Sequence, residues 1–235
     1  MIELTIVDIS EYLALKMNAP SLSKKENEIL KKSGKAYNGK SKEDLYRSLA
    51  GYIILDLLLK DKYSSCLHDI RRDVNGKPFF VDESKVLPEF SISHSGEVCI
   101  IALNDKKTCN GLNFGVDIEQ RRKIMHADKL EIKYLKDVNN YLHTVKPLDA
   151  DFKFYRLDGT MVLLQNSLIN NFSIEKREGK EDFFNKWCIL EAVLKADGGG
   201  FKNFRYVKSL LNASLISTFD FELNQRKYSC ALAVL

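Results

Sequence analysis

The chain predicts a mixed fold of helices and strands, built as two βαβ-like halves that meet near residue 121. Two long segments, Ser41 to Lys60 and Lys180 to Ala196, carry apolar residues at helical spacing. Short β-rich runs bounded by turn residues occupy 79–119 and 215–235. The length, 235 residues at 45% hydrophobic and 29% charged, suffices for one large core or two small ones and excludes disorder as the default state.

Taken in order, residues 2 to 7 read as a strand, and a lysine-rich stretch follows through Lys24, Lys25, Lys31, Lys32 and Lys35. The first long helix opens at Ser41, which with Asp44 forms a capping-box pattern. Leu45, Leu49, Ile53 and Leu57 make its apolar stripe, leaving Arg47 and Ser48 off the centre of that stripe and able to face a ligand or water. From Asn75-Gly76 the signals turn to β: Phe79 to Val81, Phe90 to Ile92, Val98 to Leu103, and Leu112 to Glu119, punctuated at Ser95-Gly96 and Asn110-Gly111. Residues 121–143 read as a polar helix, and Phe152 to Gln165 as a hairpin turning at Asp158-Gly159. The second long helix stops at Gly198-Gly199-Gly200, where residues without Cβ accept the left-handed cap. No internal repeat is evident to support a duplication.

Composition removes several classes of function. The longest apolar run, Tyr52 to Leu59, is broken by Asp56 and is far shorter than the roughly 20 residues that span a bilayer, so no membrane helix is expected. The sequence opens with neither a basic segment nor a small-residue cleavage pattern, and a cytoplasmic location is the expectation. Five cysteines, odd in number and without CxxC spacing, argue against a disulfide framework or a zinc site. A net charge of +4 suits an anionic ligand but is too small to imply nucleic acid, and the lysine-rich segment lacks the aromatic interleaving that nucleic-acid binding needs.

The sharpest local feature is Gly115-Val116-Asp117-Ile118-Glu119, in which strand alternation puts Asp117 and Glu119 on one face. A partly buried pair of carboxylates raises a pKa or takes up a cation. With only oxygen ligands near, Mg2+ is favoured over zinc. The alternative is an exposed strand edge bearing two solvated acids. The helix from Phe183 to Ala196 is apolar nearly all round, yet Glu191 and Lys195 lie on one face with Trp187. A plain i,i+4 salt bridge would account for that pair. Joined with Asp117 and Glu119, it supplies instead a third oxygen ligand and a fixed cation, the combination phosphoryl transfer requires.

Asn75-Gly76-Lys77-Pro78, Phe90 through Ser95, Gly115 through Glu119 and Trp187 through Lys195, in that order, resemble the Sfp-type 4'-phosphopantetheinyl transferases over roughly residues 30 to 201. The resemblance implies an α+β fold with a pseudo-twofold duplication: an N-terminal half over 1–120 and a C-terminal half over 121–235, with an inserted helix and hairpin at about 125–170. It implies transfer of 4'-phosphopantetheine from coenzyme A to a serine of an apo acyl or peptidyl carrier protein, releasing 3',5'-ADP with Mg2+ on the pyrophosphate. Asp117, Glu119 and Glu191 would hold the metal, and Glu191 would help deprotonate the attacking serine. Lys195 would stabilise charge on the transferring phosphate, and His94, with Ser93 beside it, would contact ligand phosphate. Lys32 and Lys35 fall where the family binds the 3'-phosphate of coenzyme A, and Arg47, Ser48 and Lys77 match further ligand contacts.

Two features depart from the family pattern. Leu190 stands where the family has a lysine directly before the helix glutamate, and the segment between Glu119 and Trp187 is long, its hairpin without a family counterpart. Phe172-Ser173 is a weak match to a family Phe-Ser motif. The insertion is expected to shape partner choice. The loss of lysine at 190 keeps a second reading open, a non-catalytic coenzyme A or nucleotide-phosphate binder, against which the three acids argue. Since a two-half chain can complete its own cleft, a monomer is expected.

Overall fold

A computed structural model of the chain describes residues 2–34, 41–74, 77–81, 87–105, 113–124, 127–135, 138, 151–165, 182–200 and 210–235. Strands and helices both contribute, so the protein is α+β. Its chain groups into two compact units: Met1–Val74 with Pro78–Asn110 and Asp151–Ile169, and Asn75–Lys77 with Gly111–Ala150 and Asn170–Leu235.

The first unit is built on a five-stranded sheet and three helices. Strands β1 (Ile2–Asp8), β4 (Glu89–Ser95) and β5 (Val98–Asn104) pair antiparallel in the order β4-β5-β1, with Leu4 opposite Ala102 and Ile92 opposite Ile101. β7 (Asp151–Leu157) lies on the free side of β1, parallel to it, and β8 (Leu163–Gln165) folds back on β7. The hairpin read from the sequence is therefore present, turning where Asp158 accepts from the backbone of Thr160 and Val162, and it completes the sheet begun by residues 2 to 8. A small ladder of β2 (Ile70–Arg72) and β3 (Pro78–Phe80) stands beside the main sheet in sequence.

Helix α3 (Lys42–Tyr63) covers this sheet, burying Leu49, Ile53, Ile54 and Leu55 against Val7, Phe90, Ile101 and Leu103. Ser41 caps its first turn by accepting from Asp44 N, and the Asp44 carboxylate takes the Ser41 hydroxyl rather than its backbone N–H, so half of the expected box forms. The complete capping box belongs to α2 (Lys24–Lys32), where Ser23 and Glu26 exchange both bonds. α1 (Ser10–Met17) and α2, which pack on α3, occupy the stretch read only as lysine-rich. Lysine content masked their 3.6-residue periodicity.

The second unit has a three-stranded antiparallel sheet, β6 (Phe114–Gln120), β10 (Arg226–Val234) and β9 (Leu215–Leu223), in the order β6-β10-β9. Helix α5 (Phe183–Asp197) packs across it through Cys188, Ile189, Ala192 and Val193. Asp182 is its N-cap, accepting from Phe184 N and Asn185 N, and Gly198 closes it at φ 78°. Of the polar helix expected over 121–143, the described residues show α4 (Ala127–Leu130) running into a π-helical turn, Glu131–Leu135. Among the described residues no helix is long and apolar enough to cross a membrane, and the four described cysteines form no disulfide with one another.

Candidate functional site

Gly115 decides how near strand β6 comes to α5. A Cβ there would stand 2.2 Å from Ala192 O and 2.6 Å from Ala196 N, so only glycine lets the helix backbone settle onto the strand. Two residues on, Asp117 is 4% exposed and lies opposite the small Ala231 of β10, with Glu119 opposite Ser229 at a half-buried position. Alternation thus puts the two acids on one face, and α5 covers it.

Lys195 answers the buried charge. Its ammonium donates to Asp117 Oδ1 at 2.7 Å and to Val116 O at 3.2 Å. Burial alone would depress this lysine, but Asp117 and Glu191 hold its pKa above the ordinary value. The i,i+4 pair with Glu191 is not among the ion pairs of the described residues. Glu191 is pushed up to about 7, first by burial and then by repulsion from Asp117 and Glu119, with Lys195 pulling the other way.

The donors present fit a hard cation by type, since all three are carboxylates. Among the described residues no three His, Cys, Asp or Glu side chains already stand close enough to hold a metal ion. Leu190, where the family motif carries lysine, is fully buried in the core of this unit. Lys77, also in this unit, donates to Ala196 O (3.3 Å) and Asn113 Oδ1 (3.2 Å), a cation at the C-terminal end of α5.

In the first unit, His94 lies within β4, one residue from its end, rather than on a loop, with its Nε2 3.1 Å from Ser48 Oγ. Arg47 donates through Nε to Gly96 O at 2.8 Å and pairs with Asp44 and Glu43. Asp44 is held below the usual carboxylate range by its bond to Ser41, with Arg47 and His94 adding to the effect. Arg47, Ser48 and His94 thus meet where the start of α3 faces the β4–β5 turn. Ser93, neighbouring His94 on β4, is buried on the opposite face. Lys32 stands apart on α2, its ammonium on Leu67 O at 2.9 Å. Lys35, Asn75-Gly76 and Phe172-Ser173 lie outside the described residues.

Two features were not read from the sequence. A cavity of about 400 Å³ opens beside Glu119, walled by Ile124, Phe183, Phe184 and Trp187 with Arg122 and Lys123 at its rim. Behind it, Arg121 donates to Asn185 Oδ1 at 2.8 Å and Asp220 Oδ2 at 2.7 Å, and pairs with Asp182. The signal for the second was available: an aspartate directly before an apolar helical run is an N-cap.

No family model matches the chain. Over 155 residues, 66% of its length, it is 24% identical to a Haemophilus influenzae protein named "Putative 4'-phosphopantetheinyl transferase". The match takes in 51% of that protein, so the chain spans about half the length of the curated relative it matches.

Proposed function

We propose that the protein is an Sfp-type 4'-phosphopantetheinyl transferase that uses Mg2+ to move the phosphopantetheine arm of coenzyme A onto a serine of an apo acyl or peptidyl carrier protein. The single observation that carries the reading is the pairing of buried Asp117 with the Lys195 ammonium at 2.7 Å, with Glu119 on the same strand face and Glu191 four residues before Lys195 on α5. The distant relative's name points the same way.

In this reading Asp117, Glu119 and Glu191 would hold the magnesium ion, which would supply positive charge to the diphosphate of coenzyme A. The serine Oγ attacks the phosphorus that bears the pantetheine arm. The bond from that phosphorus to the bridging oxygen breaks, and 3',5'-ADP leaves with the electron pair. Glu191 would accept the serine proton, directly or through a water. Lys195 offsets the charge developing on the transferring phosphoryl group. His94 and Ser48, already hydrogen-bonded to each other, serve with Arg47, Ser93, Lys32, Lys35 and Lys77 as contacts for the anionic parts of coenzyme A. The pseudo-twofold relation of two halves, a monomeric state and a cytoplasmic location belong to the same proposal.

Incubation with coenzyme A, Mg2+ and a panel of apo carrier proteins, read by intact mass, tests it. A phosphopantetheine-sized gain on one carrier is the expected result, and no gain on any carrier overturns the reading. Leu190 in place of the family lysine favours a second reading, a binder of coenzyme A without turnover. Calorimetry separates the two, since only the enzyme requires Mg2+-linked binding.

A further inference from the structure

The polar network around Arg121 lies outside the reacting groups but touches every element that carries the acids in this unit. Its backbone N–H donates to Lys227 O at 2.8 Å, continuing the β6–β10 ladder two residues beyond Glu119. Its guanidinium binds Asp182, the N-cap of α5, and Asn185 in the first turn of that helix. The same fork reaches Asp220 on β9, and Asn185 Nδ2 also donates to Asp220, at 3.1 Å. Asn185 is 2% exposed and Asp220 7% exposed, so these groups are desolvated and must be matched in geometry. The Arg121 side chain also lies over the Phe184 ring, 5.9 Å from its centroid.

We infer that Arg121 is a positioning residue: its guanidinium pins the N-terminal turn of α5 to the end of β6 and so sets where Glu191 and Lys195 stand relative to Asp117 and Glu119. Two anchors fix the helix on the strand. One is the close approach at Gly115 near its C-terminal end, and the other is this fork at its N-terminal end. With the far anchor alone, α5 can pivot about Gly115, and Glu191 lies between the two. A lysine in place of Arg121 keeps the charge but has no planar fork with which to hold Asp182, Asn185 and Asp220 together.

The consequence for metal affinity rests on the proposed function, whereas the placement of α5 does not, and the test keeps them apart. Trp187 is the only tryptophan in the chain and lies on α5 one turn beyond the network, stacked on Phe183 and edge-on to Tyr134, so its fluorescence reports where the helix lies. The variants are R121K and D182N, the second keeping a good N-cap while removing the charge that Arg121 binds. In both, Trp187 emission should shift and become more accessible to a neutral quencher, and Mg2+ affinity by calorimetry should fall about tenfold or more. The double variant should lose little beyond the worse single one. Folded variants with wild-type Trp187 emission and wild-type Mg2+ affinity overturn the inference. If R121K does not fold, D182N decides. If the wild-type protein takes no Mg2+, the proposed function loses its metal, and the Trp187 measurement alone decides the positioning role.

Discussion

Helices α3 and α5 each carry an acid followed four residues later by a lysine, and the structure uses the two pairs in opposite ways. On α3, Lys60 bonds Asp56 within the helix at 2.6 Å, and the other Asp56 oxygen accepts from Leu67 N at 2.8 Å. That carboxylate is surrounded by donors. On α5, Lys195 leaves its helix for Asp117, and Glu191 is raised to about 7, first by burial and then by repulsion from Asp117 and Glu119. A buried acid kept for architecture collects hydrogen-bond donors, whereas one kept for chemistry is held among like charges and waits for a proton or an ion.

The largest expected effect separates the two acids by activity. E191Q should lower the rate of phosphopantetheine transfer by about 10²- to 10⁴-fold, the worth of a positioned proton acceptor, while leaving the protein at least as stable as wild type above neutral pH. D56A should do the reverse, with transfer near wild type and a loss of about 2 kcal/mol in urea unfolding, because Leu67 N–H stays buried without its acceptor. Equal rates for E191Q and wild type would erase the distinction. Next in size is G115A, whose added methyl must displace the α5 backbone at Ala192; a cost of about 3 kcal/mol is expected in the same unfolding assay.

The pH dependence sharpens the contrast further. The folded-state pKa of Glu191, about 7, lies above its ordinary 4.5, so the folded protein retains a proton that the unfolded chain releases between those values. The stability this proton contributes is present below the lower value and lost as pH rises through the upper one. Chemical unfolding at pH 5 and at pH 8 should differ by roughly 2 kcal/mol more in wild type than in E191Q, after allowing for the partial exposure of Glu191. Saturating Mg2+ should remove most of that difference. The smallest effect belongs to the exposed half of the α3 pair: K60A should cost about 0.4 kcal/mol or less, since Lys60 is half in water.

Much of this arrangement was legible in the sequence where a single periodicity governed. α5 reads from its apolar run and its Gly198 stop, and the shared face of Asp117 and Glu119 follows from strand alternation. The hairpin at 151–165 was legible as a hairpin because Asp158-Gly159 is a local signal, but its pairing with β1 depends on contacts some 150 residues apart in sequence, on which periodicity carries no information. α1 and α2 were hidden because their buried faces are narrow, two buried residues on each, and in α2 because four of its nine residues are lysines. The partner of Lys195 was also out of reach: helical spacing offered Glu191, and the choice of Asp117 came from the close packing at Gly115. Arg121 was read only as the start of a polar helix, and nothing local in the sequence shows that β9 and α5 converge on it.

The parallel seam between β1 and β7 constrains how the chain is made as well as how it rests. β1 emerges from the ribosome well before β7, and the edge that β7 takes stays bare until residues 151–157 have been synthesised. Throughout that interval the nascent first unit exposes an apolar strand, Ile2 to Asp8, whose backbone groups can template pairing with another chain. A fragment ending at residue 120 would hold that state permanently, and its self-association, relieved by adding residues 151–165 in trans, would be the visible sign of the missing strand.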